Sequence, residues 1–211
     1  MRKIILLFFI ITIALFNNVI GLAEGPKSYL KGKFYSSVKN HFLIATKKMT
    51  DDRFSKTVIL MLESDENGAW GLTINKQLGT MSIALLIDPS LNTSKEREEL
   101  FKVNIPIFWG GPVDPKEIFV LHSNEYKSKS TIKYENISIS QDYEILFDIA
   151  KNKGPKKVLV ILGYSGWGKG QLEGEMERDH WILSDIDLDI TFDEESKKKW
   201  DKAIKNSFIK I

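Results

Sequence analysis

The chain has no cysteine among its 211 residues. Disulfide bonds, thiol nucleophiles and thiolate metal sites are therefore all excluded. Histidine is also scarce, and His41 and His122 lie far apart in strand-like contexts, which favours ordinary hydrogen-bonded histidines. A single Glu-x-x-His pattern, Glu177 with His180, has no second copy of the kind that dimetal sites need. The sequence therefore predicts no metal and no cofactor.

The apolar block at residues 4–16 is too short to span a membrane. It has 13 residues, and a membrane-crossing helix needs roughly 18 to 20. Two basic residues precede it, and the small residues Gly21 and Ala23 follow it, which is typical of a secretory signal. We predict cleavage near Ala23 and export of residues 24–211 to the periplasm. The alternatives are an uncleaved inner-membrane anchor, with membrane contact only through residues 4–23, and a cytoplasmic chain.

Net charge is small. The chain has 30 basic and 28 acidic residues, and removing residues 1–23 takes away Arg2 and Lys3 and leaves 28 of each. Proteins that bind the phosphate backbone concentrate basic charge on one face, so this balance counts against nucleic acid as a partner. The partner we expect is a protein or a small molecule that the sequence does not identify.

Length and patterning predict one mixed α/β domain. A chain of this size supports one core, and several strand pairs precede a region in which helices and strands alternate. Asn67-Gly68 between two apolar runs is a strong hairpin signal. The main predicted elements are strands at 58–62, 69–75, 103–109, 117–122, 158–162 and 187–192, and helices at 94–101, 141–154 and 194–207.

A glycine-rich stretch follows the apolar strand at residues 158–162; its glycines are Gly163, Gly166, Gly168 and Gly170. Because glycine tolerates positive φ and close backbone approach, we predict a tight turn here before a helix that begins at Gln171. The letters GYSGWGKG match most of a phosphate-binding loop, but Gly170 replaces the magnesium-binding Ser or Thr. Our interpretation is that the bend lets neighbouring elements pack closely, with an amide cradle for an anion or small ligand as the alternative.

Nucleophilic catalysis is poorly supported. Ser165 falls short of a nucleophile elbow because Trp167 replaces its second glycine. His180 is the only histidine after Ser165, and it lies too close in sequence to complete a triad. The acids of the following helix are predicted to form ion pairs with Lys169 and Arg178. We therefore favour a protein that is not an enzyme.

Five segments in order resemble the AlgH/YqgE family of bacterial proteins: TVILMLESDENGAWGLTIN, FWGGPVD, FVLHS, LGYSGWGKGQLEGEMERDHWIL and a late TFD followed by KKKW. The resemblance covers roughly residues 29–204. It implies one α/β (α+β) domain whose bifurcated mixed β-sheet curls into a pseudo-barrel with flanking helices. It also implies a regulatory role, since the family name comes from control of alginate production and its members carry a transcriptional-regulator label. The apparent signal before Glu24 departs from family members that look cytoplasmic.

The residues that follow the family pattern, with the glycine stretch, supply the candidate ligand contacts. A non-enzymatic binding or regulatory module is the predicted function, and a nucleotide binder or enzyme that uses residues 163–170 is the alternative. Most of these positions are explained as turns or core, but Glu63, Gln171 and Glu173 could converge on a small ligand. The candidates are Glu63, Gly110, Gly111, His122, Gly163, Gly166, Trp167, Gly168, Lys169, Gly170, Gln171 and Glu173.

Overall fold

The computed structural model describes residues 37–88, 90 and 93–207. The predicted signal or anchor at residues 1–23 lies outside this range. Within it, no helix is long and apolar enough to cross a membrane.

One sheet and a few short helices make up the described part of the chain. The strands are β1 His41–Ala45, β2 Val58–Asp65, β3 Gly68–Thr73, β4 Gln77–Ser82, β5 Asn104–Trp109, β6 Val113–His122, β7 Ile132–Lys133, β8 Ser138–Ser140, β9 Val158–Gly168 and β10 Trp181–Asp185. The α-helices are α1 Ser94–Phe101, α2 Tyr143–Ala150, α3 Gln171–Glu177 and α4 Ser196–Lys205. Short 3-10 turns lie at Asp52–Phe54 and Ile83–Leu85, and a π-helical turn lies at Asp189–Asp193.

The sheet forks at β9. Its main path runs β10-β1-β2-β3-β9-β6-β8-β7, and β4 joins it through β5. The first half of β9 runs parallel to β5, from Val160 to Leu162, while the second half pairs antiparallel with β3. Strand β6 pairs with β9 on both sides of Gly163. Strand β6 therefore occupies one edge of β9. The opposite edge is occupied by β5 along the first half of β9 and by β3 along the second half. The predicted bifurcated, curled mixed sheet with flanking helices is confirmed.

The core follows the alternation of the strands. In β1, Phe42 and Ile44 face one apolar cluster, and Leu43 and Ala45 face another, as expected for side chains that alternate across a strand. Helix α4 covers the first cluster and places Trp200 in it. The indole Nε1–H of Trp200 donates to the carbonyl of Ala45 at 2.7 Å. Helix α3 packs on the second cluster.

Glycines allow the backbone to converge at the fork. Gly163 has φ +69°, and a Cβ on Gly110 would lie 2.0 Å from the Gly163 carbonyl oxygen. The Gly110 N–H donates to Leu162 O at 2.8 Å, and the Thr73 N–H donates to Gly110 O at 3.0 Å. The close packing that we expected around residue 163 is present, although the turn is not.

Two sequence predictions are wrong here. Residues 163–168 form the second half of β9, because Tyr164 pairs with β6 and residues 165–168 pair with β3. The turn before α3 contains only Lys169 and Gly170. The strand predicted at residues 187–192 is instead a π-helical turn, and the strand in this region is β10. The Asp187 carboxylate accepts hydrogen bonds from the next backbone N–H groups, at 2.9 and 3.2 Å, which favours a helical turn over a strand.

Candidate ligand-binding groove

Three aromatic rings from three strands form the floor of an open groove. Trp70 of β3 lies 5.7 Å from Phe119 of β6 and 5.7 Å from Tyr164 of β9, measured between ring centroids. Phe119 and Tyr164 are 6.0 Å apart, edge to face. Trp70 pairs across the strands with Gly166, which has no side chain to cover the indole. The Trp70 and Tyr164 rings therefore remain half-buried, while Phe119 is buried beside them.

The groove above this floor has a volume of about 670 Å³. Of the described residues that line it, Glu63, Asp65 and Glu117 are acidic and none is basic. None of these three acids takes part in an ion pair within the described part of the chain. The remaining lining residues are Asn67, Gly68, Ala69, Trp70, Val113, Phe119, Gln141, Tyr164, Gly166 and Trp167.

Local structure fixes the acidic side chains. A bulge in β2 between Met61 and Glu63 places Glu63 opposite Trp70, whose Nε1–H donates to the Glu63 carboxylate at 3.3 Å. Glu117 accepts a hydrogen bond from the Gln141 amide at 2.7 Å. Asp65 holds the hairpin by accepting from two backbone N–H groups at 2.7 and 3.2 Å. The result is a negatively charged rim over an aromatic floor.

A smaller recess, which we call the helix recess, lies on the other side of Trp167 beneath α3. Its volume is about 250 Å³. Gly166 and Trp167 line both the groove and the helix recess. The other lining residues of the recess are Met49, Thr50, Asp51, Arg53, Phe54, Pro112, Gln171, Glu175, Arg178 and His180.

Glu175 is the anchor between α3 and the sheet. Its Oε2 accepts the indole N–H groups of Trp167 at 3.0 Å and Trp181 at 2.7 Å. Its Oε1 accepts from the Gln171 amide at 3.2 Å, and Gln171 in turn accepts from the Gly168 N–H at 3.2 Å. This network fixes the orientation of Trp167, the wall between the two cavities.

The structure separates the predicted site residues into groups. Glu63, Gly166 and Trp167 line the groove, and Gln171 lines only the helix recess. Glu63 and Gln171 line different cavities and Glu173 lines neither, so neither cavity holds all three of the side chains that we expected to converge. The candidates that lie outside both cavities are Gly110, Gly111, His122, Gly163, Gly168, Lys169, Gly170 and Glu173.

His122 is an interior residue. Its Nδ1–H donates to Ser123 O at 2.9 Å, so Nε2 accepts from the Ser140 hydroxyl at 3.0 Å. Burial lowers the pKa of His122, against the smaller opposing effect of its hydrogen bond to Ser123. The expectation of an ordinary hydrogen-bonded histidine is confirmed.

The phosphate-binding loop and the serine nucleophile, the two motif-based alternatives, lack the geometry that they require. The amides of residues 163–168 belong to a strand, so they do not form a phosphate cradle. Ser165 is 1% exposed and donates its hydroxyl hydrogen to Gly110 O at 2.9 Å.

No ion pair in the described part of the chain joins Lys169 or Arg178 to the acids of α3, contrary to our prediction. The described residues contain no cluster of three or more His, Asp or Glu side chains that could hold a metal ion.

Sequence reasoning missed most of the groove. Trp70, Phe119, Tyr164 and Glu117 come from separate strands, and only the tertiary fold brings them together. One signal was available, since Trp70 and Tyr164 each neighbour a glycine in the quoted motifs. Large aromatic residues beside glycines in strands indicate rings that are left uncovered.

The fold and the groove define a class: a single mixed α/β domain with a forked, curled sheet and a concave acidic surface. A family model described as AlgH-like matches residues 42–211. A UPF0301 protein of Methylococcus capsulatus is 34% identical over 174 residues, covering 82% of this chain and 93% of that protein. A UPF0301 protein of Pseudomonas fluorescens is 36% identical over 171 residues, covering 81% and 89%. The chain belongs to the AlgH-like family.

Solved structures agree with this assignment. The solution structure of the AlgH protein from Pseudomonas aeruginosa matches with a TM-score of 0.68 and 34% identity, covering 83% of this chain and 92% of that one. A crystal structure of a Corynebacterium diphtheriae protein, DIP2367, matches with a TM-score of 0.56 and 14% identity, covering 79% and 85%. This second likeness shows a shared fold alone.

Proposed function

We propose that this protein is a non-enzymatic binding module whose groove takes a ligand that carries an organic cation, either an ammonium or a guanidinium group. One observation carries the proposal: the groove combines three carboxylates and a partly open aromatic floor, and no Lys, Arg or His lines it. Cations are attracted to the faces of Trp and Tyr rings, most strongly where water is partly excluded. The negatively charged carboxylates at the rim also attract a cation.

Binding is favoured over catalysis by the chemistry of the lining. Glu63 and Glu117 already accept hydrogen bonds from the side chains of Trp70 and Gln141, an arrangement suited to a fixed negative rim. The hydroxyl of Ser165 and the imidazole of His122 are buried in contacts of their own. A regulatory role would then consist of ligand capture that alters a partner's activity, rather than of contact with DNA.

Titration of the protein with choline and with its neutral isostere 3,3-dimethylbutan-1-ol tests the proposal. We expect choline to bind at least several-fold more tightly, because only choline gains the attraction of the rings and carboxylates. Trp70→Leu should weaken choline binding by roughly 2- to 30-fold, which corresponds to about 0.5 to 2 kcal/mol of cation–π energy. Isothermal titration calorimetry measures both effects.

Two glycine substitutions in β9 supply a matched pair. A Cβ on exposed Gly166 would meet the Tyr164 ring at 3.3 Å, so Gly166→Leu should fill the groove and abolish binding. A Cβ on Gly168 meets nothing within 4 Å, and Gly168 does not line the groove, so Gly168→Ala should bind like the wild type. Equal affinity for the two isosteres, or unchanged binding in Gly166→Leu, would contradict the proposal.

The proposed location is the periplasm. The basic start, the apolar block at residues 4–16 and the small residues before Glu24 support it. Export would place the groove among extracytoplasmic ligands, and it would exclude a direct role at DNA.

A further inference from the structure

The helix recess next to the groove contains basic side chains, which the groove lacks. Its lining includes Arg53, Arg178 and His180. Arg53 is occupied by Asp51, which it contacts at 2.6 Å. Arg178 and His180 have no side-chain hydrogen bond or ion pair to any other described residue, so these two donors can serve a ligand.

The acids near these donors are engaged elsewhere. The Glu175 carboxylate is occupied by three N–H donors from Trp167, Trp181 and Gln171. Asp179, between Arg178 and His180 in sequence, forms an ion pair with Lys48 at 2.6 Å. Neither acid forms an ion pair with Arg178 in the described part of the chain, so the Arg178 guanidinium has free donors for a ligand.

Backbone geometry holds the two donors in place. Asp179 has φ +58°, the left-handed conformation that ends many helices. The His180 N–H donates to Glu175 O at 3.0 Å, and the Thr46 N–H donates to His180 O at 2.9 Å. The backbone of His180 is thus tied both to α3 and to the loop after β1, and Arg178 lies two residues before it.

The groove and the helix recess meet at Gly166 and Trp167, and the exposed Gly166 has no side chain to separate them. We propose that the ligand is a zwitterionic small molecule, with its cationic group in the groove and a carboxylate or phosphate in the helix recess against Arg178 and His180. This inference rests on the proposed function, because it assigns the second charge of the same ligand.

A series of ω-trimethylammonio carboxylates of increasing chain length tests the inference, because the series samples the separation between the two charges. Each acid is compared with its methyl ester by isothermal titration calorimetry on the full chain. At the matching length we expect the acid to bind about five- to tenfold more tightly than the ester, as charge-assisted hydrogen bonds allow. Phosphonate analogues of that length show which of the two anions binds better.

Variants identify the site. Arg178→Gln and His180→Gln should each remove most of the advantage of the acid and leave the affinity of the ester unchanged. Lys169→Gln is the matched control, since Lys169 is an exposed cation nearby that lines neither cavity, and it should keep the advantage. In imidazole NMR spectra, the His180 ring signal should shift with the acid only, and the buried His122 ring should not.

The outcomes separate the two claims. If acid and ester bind equally at every length, and Arg178→Gln changes nothing, the zwitterion inference is overturned while cation binding stands. If neither choline nor any member of the series binds, the proposed function fails and the inference fails with it.

Discussion

At the scale of single residues, Lys199 is the least expected feature of the core. Its side chain is 1% exposed, and its Nζ donates to Thr191 O at 2.6 Å and lies 5.8 Å from the centroid of the Phe108 ring. Burial lowers the pKa of Lys199 to about 8, although the charges of Glu194 and Asp193 partly oppose this. The lysine links α4 to the π-helical turn, and its charge is costly in that position.

This burial predicts a pH dependence of stability. The pKa of Lys199 is about 8 in the folded chain and 10.5 for an ordinary lysine, so the unfolded chain binds more protons between these values. The free energy of unfolding should therefore rise as pH increases from about 8 to 10.5, by up to ~3 kcal/mol from this group. Urea unfolding of wild type and Lys199→Met across this range should show the destabilisation by the substitution growing with pH. Lys197→Met, at an exposed position in the same helix, should show no such trend. The prediction would be contradicted if the unfolding free energies of wild type and Lys199→Met differed by the same amount at every pH.

At the scale of elements, the fork at β9 depends on backbone contact at Gly110. Gly110→Ala would place a Cβ 2.0 Å from Gly163 O and 2.6 Å from an Ile161 methyl group. Backbone does not yield as a flexible side chain does, so we expect a loss of roughly 3 kcal/mol or more in unfolding free energy. Thermal unfolding measures it. Gly168→Ala, which meets nothing within 4 Å, should change stability by only a few tenths of a kcal/mol, and equal melting temperatures for the two variants would refute this account.

The same elements show what the sequence could and could not predict. The hairpin at Asn67 and Gly68 was predictable because a tight turn depends on adjacent residues. The glycines after residue 162 were misassigned to a turn, because glycine marks close approach by another strand as readily as a bend. Strand β10 was missed, and the groove was only partly found, since Trp70, Tyr164 and Glu117 meet through long-range pairing that no local pattern contains.

At the scale of the whole molecule, the testable issue is where the chain resides. We predict that a bacterium producing the full chain will contain a periplasmic form that begins at Glu24. Cell fractionation followed by N-terminal sequencing measures this. A variant that lacks residues 4–16 should stay in the cytosol, because a secretory signal needs its apolar block for export. Full-length wild-type protein in the cytosol would contradict the prediction.

The fork in the sheet also affects when the chain can fold during its synthesis. Strand β1 needs β10 on one side, and β3 needs β9, a partner about a hundred positions later in the chain. Contacts so distant in sequence form slowly. A growing polypeptide on the ribosome therefore cannot complete its sheet until β9 and β10 have emerged, and such a delay would keep it threadable through a translocation channel.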